Sequence, residues 1–213
     1  MAKSTRELIQ AVEKADSADG LLEAVEALAE VRSETAIPTL VEVLGFNNPG
    51  AAVAAVDGLI YIGEPAVPYL LDNLDDYNYG ARAWAIRVFA GVGDPSALDL
   101  LLKAASTDFS LSVRRAAARG LGFINWSKLP PKEILPAQTE VLNTLLSVCN
   151  DGEWVVRYAA VVGLQALFET FNPHKSYFVK QILEKLKQII ETDPEIAVRA
   201  RSQMALREFN NLG

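Results

Sequence analysis

Apolar residues recur along this chain with the spacing of short amphipathic helices that come in pairs. Three segments of similar pattern begin thirty residues apart, at residues 35–40, 65–70 and 95–100, and each carries a proline at or near its first turn. Proline is tolerated there because the first N–H groups of a helix have no intrahelical acceptor. A turn and a second helix follow each segment, so the pattern predicts an internal repeat of two helices.

A second series of positions gives the same register. Four aspartates each precede an arginine by six residues, and small residues follow the arginine. The pairs are Asp76 with Arg82, Asp108 with Arg114, Asp151 with Arg157, and Asp193 with Arg199. This resembles the HEAT-repeat pattern, in which an aspartate at the inter-helix turn and an arginine on the second helix form a ladder between repeats.

The register predicts an all-α protein, an α-solenoid of about six HEAT-like helix pairs that start near residues 4, 34, 64, 94, 132 and 174. The first pair lacks the proline and the Asp–Arg motif, as expected of a terminal cap, and the second has Ala52 in place of the arginine. Residues 125–136 contain three prolines and are predicted to form an irregular link. No linker composition interrupts the chain, so we predict a single domain over residues 1–213.

Composition and charge narrow the function classes. Half of the 213 residues are apolar and the net charge is −7. This charge argues against nucleic-acid binding, which needs a basic surface, and against anionic membranes. No apolar run is long enough to span a bilayer, so we expect no membrane insertion. The single cysteine, Cys149, excludes an internal disulfide and indicates a cytoplasmic protein.

The chain carries no recognisable catalytic constellation. His174 is the only histidine and Cys149 the only cysteine. They lie in consecutive repeats, and a buried structural cysteine is the preferred interpretation over a Cys–His dyad. One histidine and one cysteine do not supply a metal site of the usual kind, so we expect no metal.

The third repeat departs from the pattern by adding aromatic residues. Tyr77, Tyr79 and Trp84 cluster there, and the next repeat places Arg115 and Arg119 four residues apart on a helix without acidic residues. Aromatic rings stack on conjugated faces and guanidinium groups pair with carboxylates. These residues therefore suit a planar, conjugated, anionic ligand.

Structural roles compete with this interpretation. Asp76 and Arg82 fit the ladder, Arg115 fits an ordinary solvated face, and Trp84 fits a gap between repeats where other repeats have alanine or arginine. The strongest functional candidates are Tyr77, Asn78, Tyr79 and Trp84, which we expect to have no counterparts at the equivalent positions of other repeats.

Three stretches, residues 76–85, 93–95 and 112–121, resemble the F-type subunits of the heterodimeric E/F bilin lyases, and more narrowly those acting on the phycocyanin α subunit. The similarity extends over essentially the whole chain, and residues 77–84, Tyr-Asn-Tyr-Gly-Ala-Arg-Ala-Trp, are its specific part. Lyase-isomerases of the phycoerythrocyanin type carry a His-Cys pair where this chain has Tyr79 and Gly80. The resemblance therefore implies simple ligation.

The resemblance also implies partners and a substrate. An E-type lyase subunit, itself built of HEAT-like repeats, completes the heterodimer. Phycocyanobilin, an open-chain tetrapyrrole, is bound as substrate without a further cofactor and is joined through a thioether to a cysteine of the phycocyanin α subunit. The alternative is a non-enzymatic HEAT scaffold or chaperone in phycobilisome assembly or degradation.

We predict two catalytic residues within this framework, Asp76 and Tyr79. Asp76 accepts hydrogen bonds from pyrrole N–H groups and favours the protonated, reactive bilin, while Tyr79 contacts the rings. The arginines are predicted to pair with the two propionates and the remaining side chains to hold the rings. The predicted bilin-binding residues are Tyr77, Asn78, Arg82, Trp84, Arg115 and Arg119.

Overall fold

The protein is built from paired α-helices. The computed structural model describes residues 3–73, 78–171 and 176–211, and within these ranges it contains twelve α-helices and no strand. They form six consecutive pairs, which confirms the predicted all-α, HEAT-repeat solenoid class and the predicted number of pairs. Each pair begins within four residues of the position predicted from the sequence.

The first helix of each pair is followed after a short turn by the second. The pairs are α1 (Thr5–Glu13) with α2 (Ala18–Glu30), α3 (Ile37–Val43) with α4 (Pro49–Ile62), α5 (Ala66–Asp72) with α6 (Tyr79–Val92), α7 (Leu98–Thr107) with α8 (Leu111–Gly120), α9 (Pro131–Val148) with α10 (Trp154–Glu169), and α11 (Ser176–Thr192) with α12 (Ile196–Asn211). Short 3₁₀ turns occur at Glu34–Ala36, Pro95–Ala97, Leu121–Phe123 and Trp126–Lys128.

The chain divides into two compact units, residues 1–97 and residues 98–213. In the first unit α4 packs between α2 and α6, and in the second unit α10 packs between α8 and α12. Each unit has its own apolar core, which includes Leu28, Leu59 and Phe89 in the first and Leu121, Leu145 and Leu164 in the second. The prediction of one domain over the whole chain stays a prediction.

Polar side chains cap the N-termini of several helices. Ser4 forms a capping box with Glu7 at the start of α1, and Ser17 caps α2 by accepting the N–H of Gly20. Such caps satisfy N–H groups that have no intrahelical acceptor. The first pair therefore has well-defined helix starts although it lacks the ladder motif.

The predicted irregular link at 125–136 is shorter than expected, and this part of the prediction is wrong. Helix α9 begins at Pro131 and includes Pro136. Pro131 occupies the first helical position, where no N–H is needed. Pro136 lies in the second turn of α9 and is exposed. Proline has no N–H, so one backbone hydrogen bond is missing there, and water can reach the carbonyl near the exposed start of the helix. Trp126 is buried in the remaining link and anchors it.

Two glycines end second helices, and a third brings two helices together. Gly63 and Gly93 are the C-caps of α4 and α6 with φ of 80° and 67°, a region that side chains disfavour. In the second unit, a Cβ atom on Gly163 of α10 would overlap the backbone oxygen of Ala118 on α8. Helices α8 and α10 therefore approach each other as closely as backbones allow.

Candidate functional site

The arginine ladder connects the three helix pairs of the second unit. The Nε and Nη2 atoms of Arg114 donate to the two carboxylate oxygens of Asp151 at 2.7 and 3.1 Å. Arg157 donates in the same way to Asp193 at 2.8 and 2.9 Å. Each arginine thus bonds to the aspartate of the next pair, as the HEAT pattern predicts.

A second contact fixes each ladder arginine to its own turn. The Nη1 atom of Arg114 donates to the backbone oxygen of Asp108, that of Arg157 to Asp151, and that of Arg199 to Asp193. The aspartate six residues before the arginine therefore contributes its carbonyl, whereas the carboxylate comes from the following pair. This arrangement sets the register in which the second helices stack.

The ladder changes the acidity of its members. The hydrogen bond from Arg157 holds the pKa of Asp193 below its ordinary value, and the same bond raises the pKa of Arg157. Burial acts to raise the pKa of Asp151, but hydrogen bonds from Arg114 and from the N–H of Glu153 outweigh it, so this pKa is also lowered. These ion pairs are charged at neutral pH and hold the fold together.

The predicted site in the third repeat is only partly described. Asp76 and Tyr77 lie outside the described residues, and of Tyr79 the structure describes the backbone, which begins α6. Asn78 is the N-cap of α6, and its side-chain oxygen accepts the N–H of Ala81 at 3.0 Å. Asn78 therefore stabilises the start of α6.

The expectation that Asn78 has no counterpart in other repeats is wrong. Asn48 stands thirty residues earlier, caps α4, and accepts the N–H of Ala51 at 3.1 Å. The two asparagines occupy the same position of successive pairs because both second helices begin one residue later. The same turn uses the same helix cap in both repeats, so comparing these two turns in the sequence would have revealed that Asn78 is a cap.

Helix α6 separates the remaining candidates of the third repeat by burial. Arg82 is buried, with 9% of its surface exposed, as is Arg157 of the ladder, whereas Trp84 is half-buried. The guanidinium carbon of Arg87 lies 4.7 Å from the centroid of the Trp84 ring, within the range of a cation–π contact. Gly80 lies one turn before Trp84 on the same face of α6 and is exposed.

Two arginines of α8, Arg115 and Arg119, are exposed, whereas the ladder residue Arg114 is half-buried. Arg115 and Arg119 lie one turn apart, and the guanidinium carbon of Arg119 lies 5.8 Å from the ring centroid of Phe123. Phe123 is itself half-exposed. Helix α8 and the 3₁₀ turn after it thus offer two cations and an aromatic ring to a ligand, with no carboxylate on α8.

The sequence interpretation missed Arg87 and Phe123. Both form cation–π contacts with predicted site residues, Arg87 with Trp84 and Phe123 with Arg119. The signal was available, since spacings of three and four residues place side chains on one helix face. Arg87 and Trp84 are neighbours on α6, whereas Phe123 lies in the 3₁₀ turn that follows α8.

Cys149 is unsuited to nucleophilic chemistry. It is buried at the C-cap of α9, and burial raises the pKa of its thiol to about 12. The reactive form of cysteine is the thiolate, which is scarce at neutral pH in such a site. The preference for a buried structural cysteine over a dyad is consistent with this burial, and His174, the other member of such a dyad, lies outside the described residues.

Residues 3–73, 78–171 and 176–211 contain no group of three or more histidine, cysteine, aspartate or glutamate side chains arranged to hold a metal ion. Among the helices of these same ranges, none combines the length and the hydropathy that crossing a bilayer requires.

Comparison with known proteins places the chain in a family. A family model described as HEAT repeats matches residues 5–79 and 67–165. The chain is 55% identical over 194 residues to the phycocyanin alpha phycocyanobilin lyase CpcF of Synechocystis sp. strain PCC 6803, an alignment covering 91% of this chain and 89% of that relative. It is 55% identical over 204 residues to a phycobilisome maturation protein of Synechococcus elongatus, covering 95% and 97% of the two chains.

A solved structure agrees with these relatives. The structure of the complex of CpcE and CpcF of phycocyanin lyase from Nostoc sp. PCC7120 contains a chain that matches this one with a TM-score of 0.76 at 49% identity, covering 82% of this chain and 99% of that chain. Identity at this level over nearly the full length of the relatives is specific to them and is not explained by HEAT repeats alone. The chain belongs to the CpcF family of phycocyanobilin lyase subunits.

Proposed function

We propose that this protein is the F-type subunit of a heterodimeric lyase that attaches phycocyanobilin through a thioether to a cysteine of the phycocyanin α subunit. The observation that carries the proposal is 55% identity to a phycocyanin alpha phycocyanobilin lyase over 91% of the chain. An E-type subunit is the partner, as in the CpcE–CpcF complex whose structure matches at a TM-score of 0.76. The reaction is placed in the cytoplasm, where the acceptor thiol stays reduced.

The chemistry needs no nucleophile from this chain. The thiolate of the acceptor cysteine attacks the ethylidene carbon of the bilin, a sulfur–carbon bond forms, the ethylidene double bond opens, and the tetrapyrrole takes up one proton. The only cysteine of the chain, Cys149, is buried with a raised pKa and takes no part. The lyase accelerates the reaction by holding the bilin in one orientation before the thiol.

Helix α6 supplies the most suitable bilin contacts in the first unit. The Trp84 indole offers a stacking surface, Gly80 lies one turn before it without a side chain, and Arg87 brings a positive charge 4.7 Å from the indole centroid. Asp76 is assigned as the acceptor of pyrrole N–H groups, and Tyr77 and Tyr79 are assigned as contacts to the rings. Such a site binds by stacking and charge and needs no further cofactor.

The propionates are assigned to arginines. Arg115 and Arg119 are exposed and free of carboxylate neighbours on α8, so they suit propionate groups. Arg82 and Asn78 are the least suitable of the predicted bilin-binding residues. Arg82 is buried at the position that the ladder arginines occupy in other repeats, and the side chain of Asn78 caps α6. We assign these two to holding the turn on which the bilin contacts are mounted.

A reconstituted ligation assay tests this function. The purified chain, an E-type subunit, phycocyanobilin and the phycocyanin α subunit are combined, and covalent attachment is read by absorbance and by fluorescence of the denatured product. We expect attachment to require both subunits and to disappear when the acceptor cysteine is replaced by serine. Attachment at the same rate without this chain would contradict the proposal.

The competing function is a scaffold or chaperone without catalysis. The relative named as a phycobilisome maturation protein, 55% identical, gives this alternative its support. Colour separates the two functions, because a lyase complex purified with bilin absorbs visible light through the bound tetrapyrrole. A scaffold would leave the complex colourless and the rate of attachment unchanged.

A further inference from the structure

Four exposed side chains follow one another at intervals of four residues along α8 and the 3₁₀ turn after it. We call them the α8 row, and they are Leu111, Arg115, Arg119 and Phe123. Residues four apart on a helix lie on one face, so the row runs along one side of α8. Leu111 is 44% exposed and Phe123 is 49% exposed. The row therefore presents two cations between two apolar side chains.

Phe123 is exposed on a turn that is otherwise held in place. Its neighbours Leu121 and Gly122 are buried. A Cβ atom on Gly122 would overlap the backbone of Gly163, so the turn is pressed against α10. Packing of the core thus fixes the backbone at Phe123 but leaves about half of the side chain accessible. An aromatic side chain on such a rigid support is preorganised to contact a ligand.

The two arginines of the row are available to carboxylates of a ligand. Helix α8 contains no acidic residue, and within the described part of the chain neither Arg115 nor Arg119 forms an ion pair. The guanidinium carbon of Arg119 lies 5.8 Å from the ring centroid of Phe123, which is a cation–π contact and leaves the N–H groups of the guanidinium free of a carboxylate. The two arginines are one helical turn apart, about 6 Å along the axis of α8.

The corresponding row of α4 has the opposite charge. It consists of Val53, Asp57 and Tyr61, which are exposed and stand at the same distances from the start of their helix as the last three members of the α8 row. An aromatic ring again ends the row, but Asp57 stands at the position of Arg119. A carboxylate there repels an anionic ligand, so only the α8 row of these two suits one.

We propose that the α8 row is a bilin subsite in which Arg115 and Arg119 bind the two propionates and Leu111 and Phe123 contact the pyrrole rings on either side. The inference rests on the proposed function and adds Leu111 and Phe123 to the bilin-binding residues. Phycocyanobilin carries its propionates on its two inner rings, which are neighbours, and two cations one turn apart match that arrangement. The outer rings then extend along α8 toward the apolar ends of the row, where they are removed from water.

The dimethyl ester of phycocyanobilin separates the contributions of charge and of ring contact, because both of its propionates are neutral. The full chain in complex with the E-type subunit is titrated with the free acid and with the ester, and visible absorption gives each Kd. Arg115→Gln combined with Arg119→Gln should raise the Kd of the free acid about ten-fold or more, since charged hydrogen bonds are lost. The Kd of the ester should stay unchanged.

Leu111→Ser combined with Phe123→Ser should raise both Kd values by a similar factor, about ten-fold, because the two ligands have the same rings. The matched control is Tyr61→Ser on α4. Tyr61 is 61% exposed, stands at the position of Phe123 and also lies under an arginine, Arg32, at 4.6 Å from the ring centroid. This control should change neither Kd.

Three results would overturn the subsite. The first is an unchanged Kd for both ligands in the variant of Leu111 and Phe123, and the second is an equal loss of affinity in Tyr61→Ser. The third is a loss confined to the free acid in the Leu111 and Phe123 variant, because Phe123 would then act only by holding Arg119. If the unaltered complex attaches no bilin to the phycocyanin α subunit, the proposed function fails, whereas normal attachment together with any of these three results refutes the subsite alone.

Discussion

Arg157 bonds to both carboxylate oxygens of Asp193, 36 residues further along the chain, at 2.8 and 2.9 Å. Both side chains are nearly buried, so each neutralises a charge that would otherwise be costly to remove from water. The pair joins the second helix of one repeat to the turn of the next. It is the clearest example of how repeats in this protein are held in register.

Replacing Asp193 with asparagine should destabilise the protein strongly. Loss of one partner of a buried pair leaves Arg157 charged and poorly compensated, which costs about 3 kcal/mol of unfolding free energy. Urea unfolding followed by circular dichroism measures the change. Asp57→Asn, on the exposed side of α4, is the control and should alter stability by less than about 0.5 kcal/mol.

The stability lost in Asp193→Asn should depend on pH. The pKa of Asp193 is lower in the folded protein than in the unfolded chain, so its stabilising contribution is present above the unfolded pKa of about 4. It is lost as the pH falls through the folded pKa. The stability difference between Asp193→Asn and the unaltered protein should therefore shrink on acidification, and a difference that stayed constant with pH would contradict the assignment.

Gly163→Ala should disrupt the contact of α8 with α10. The added Cβ would meet the backbone oxygen of Ala118, which cannot rotate away, and such overpacking costs about 1–3 kcal/mol. Gly152→Ala is the matched control, since no atom lies within 4 Å of its added Cβ. Melting temperatures of the two variants measure the contrast, and equal losses would show that the helices are not in backbone contact.

Asn78 should prove to be a helix cap. Asn78→Ala and Asn48→Ala should each lose about 1 kcal/mol of unfolding free energy, because each leaves an N–H of the first turn without its acceptor. Asn48→Ala should lose more, since its amide also donates to the backbone oxygen of Ala18 at 2.9 Å. Asn78→Ala should also lower bilin uptake, because the cap holds the turn that carries the bilin contacts. Asn78→Asp retains the side-chain oxygen that accepts the Ala81 N–H, so it should keep both stability and bilin uptake. Uptake that stayed low in that variant would assign the amide to the bilin instead.

Tyr79→Ala combined with Trp84→Ala should abolish bilin uptake by the complex without unfolding the chain. Trp84 is half-buried rather than part of the core, and stacking contacts to the bilin would be lost. The control is Tyr61→Ala, which removes another aromatic ring under an arginine, since Arg32 lies 4.6 Å from its centroid. Normal ligation by the double variant would refute the assignment of these two residues.

Cys149 should be dispensable for ligation and slow to react with thiol reagents. Its pKa of about 12 leaves little thiolate at pH 8, so labelling by a disulfide reagent should accelerate greatly on unfolding. Cys149→Ala should attach bilin at the normal rate. Labelling of the folded protein as fast as of the unfolded chain would show an accessible thiolate and reopen a catalytic role.

The prediction from sequence succeeded where the signal was local. Six helix pairs and the Asp–Arg register follow from residues within one repeat, because a helix pair needs only its own caps, turn and apolar spacing. It failed at Pro136, whose position in the second turn of α9 is tolerated because that end of the helix is exposed. It also failed at Asn78, where the search for unusual residues obscured an ordinary cap shared with Asn48.

The sequence by itself determined the repeat, the all-α class and the family, because each depends on the order and spacing of residues. Only the tertiary structure decided that Arg114 takes the carboxylate of Asp151 and merely the carbonyl of Asp108, since that choice depends on how successive pairs stack. Stacking likewise buried Arg82 and left Arg115 and Arg119 exposed. Burial is a property of packed helices, which no single repeat contains.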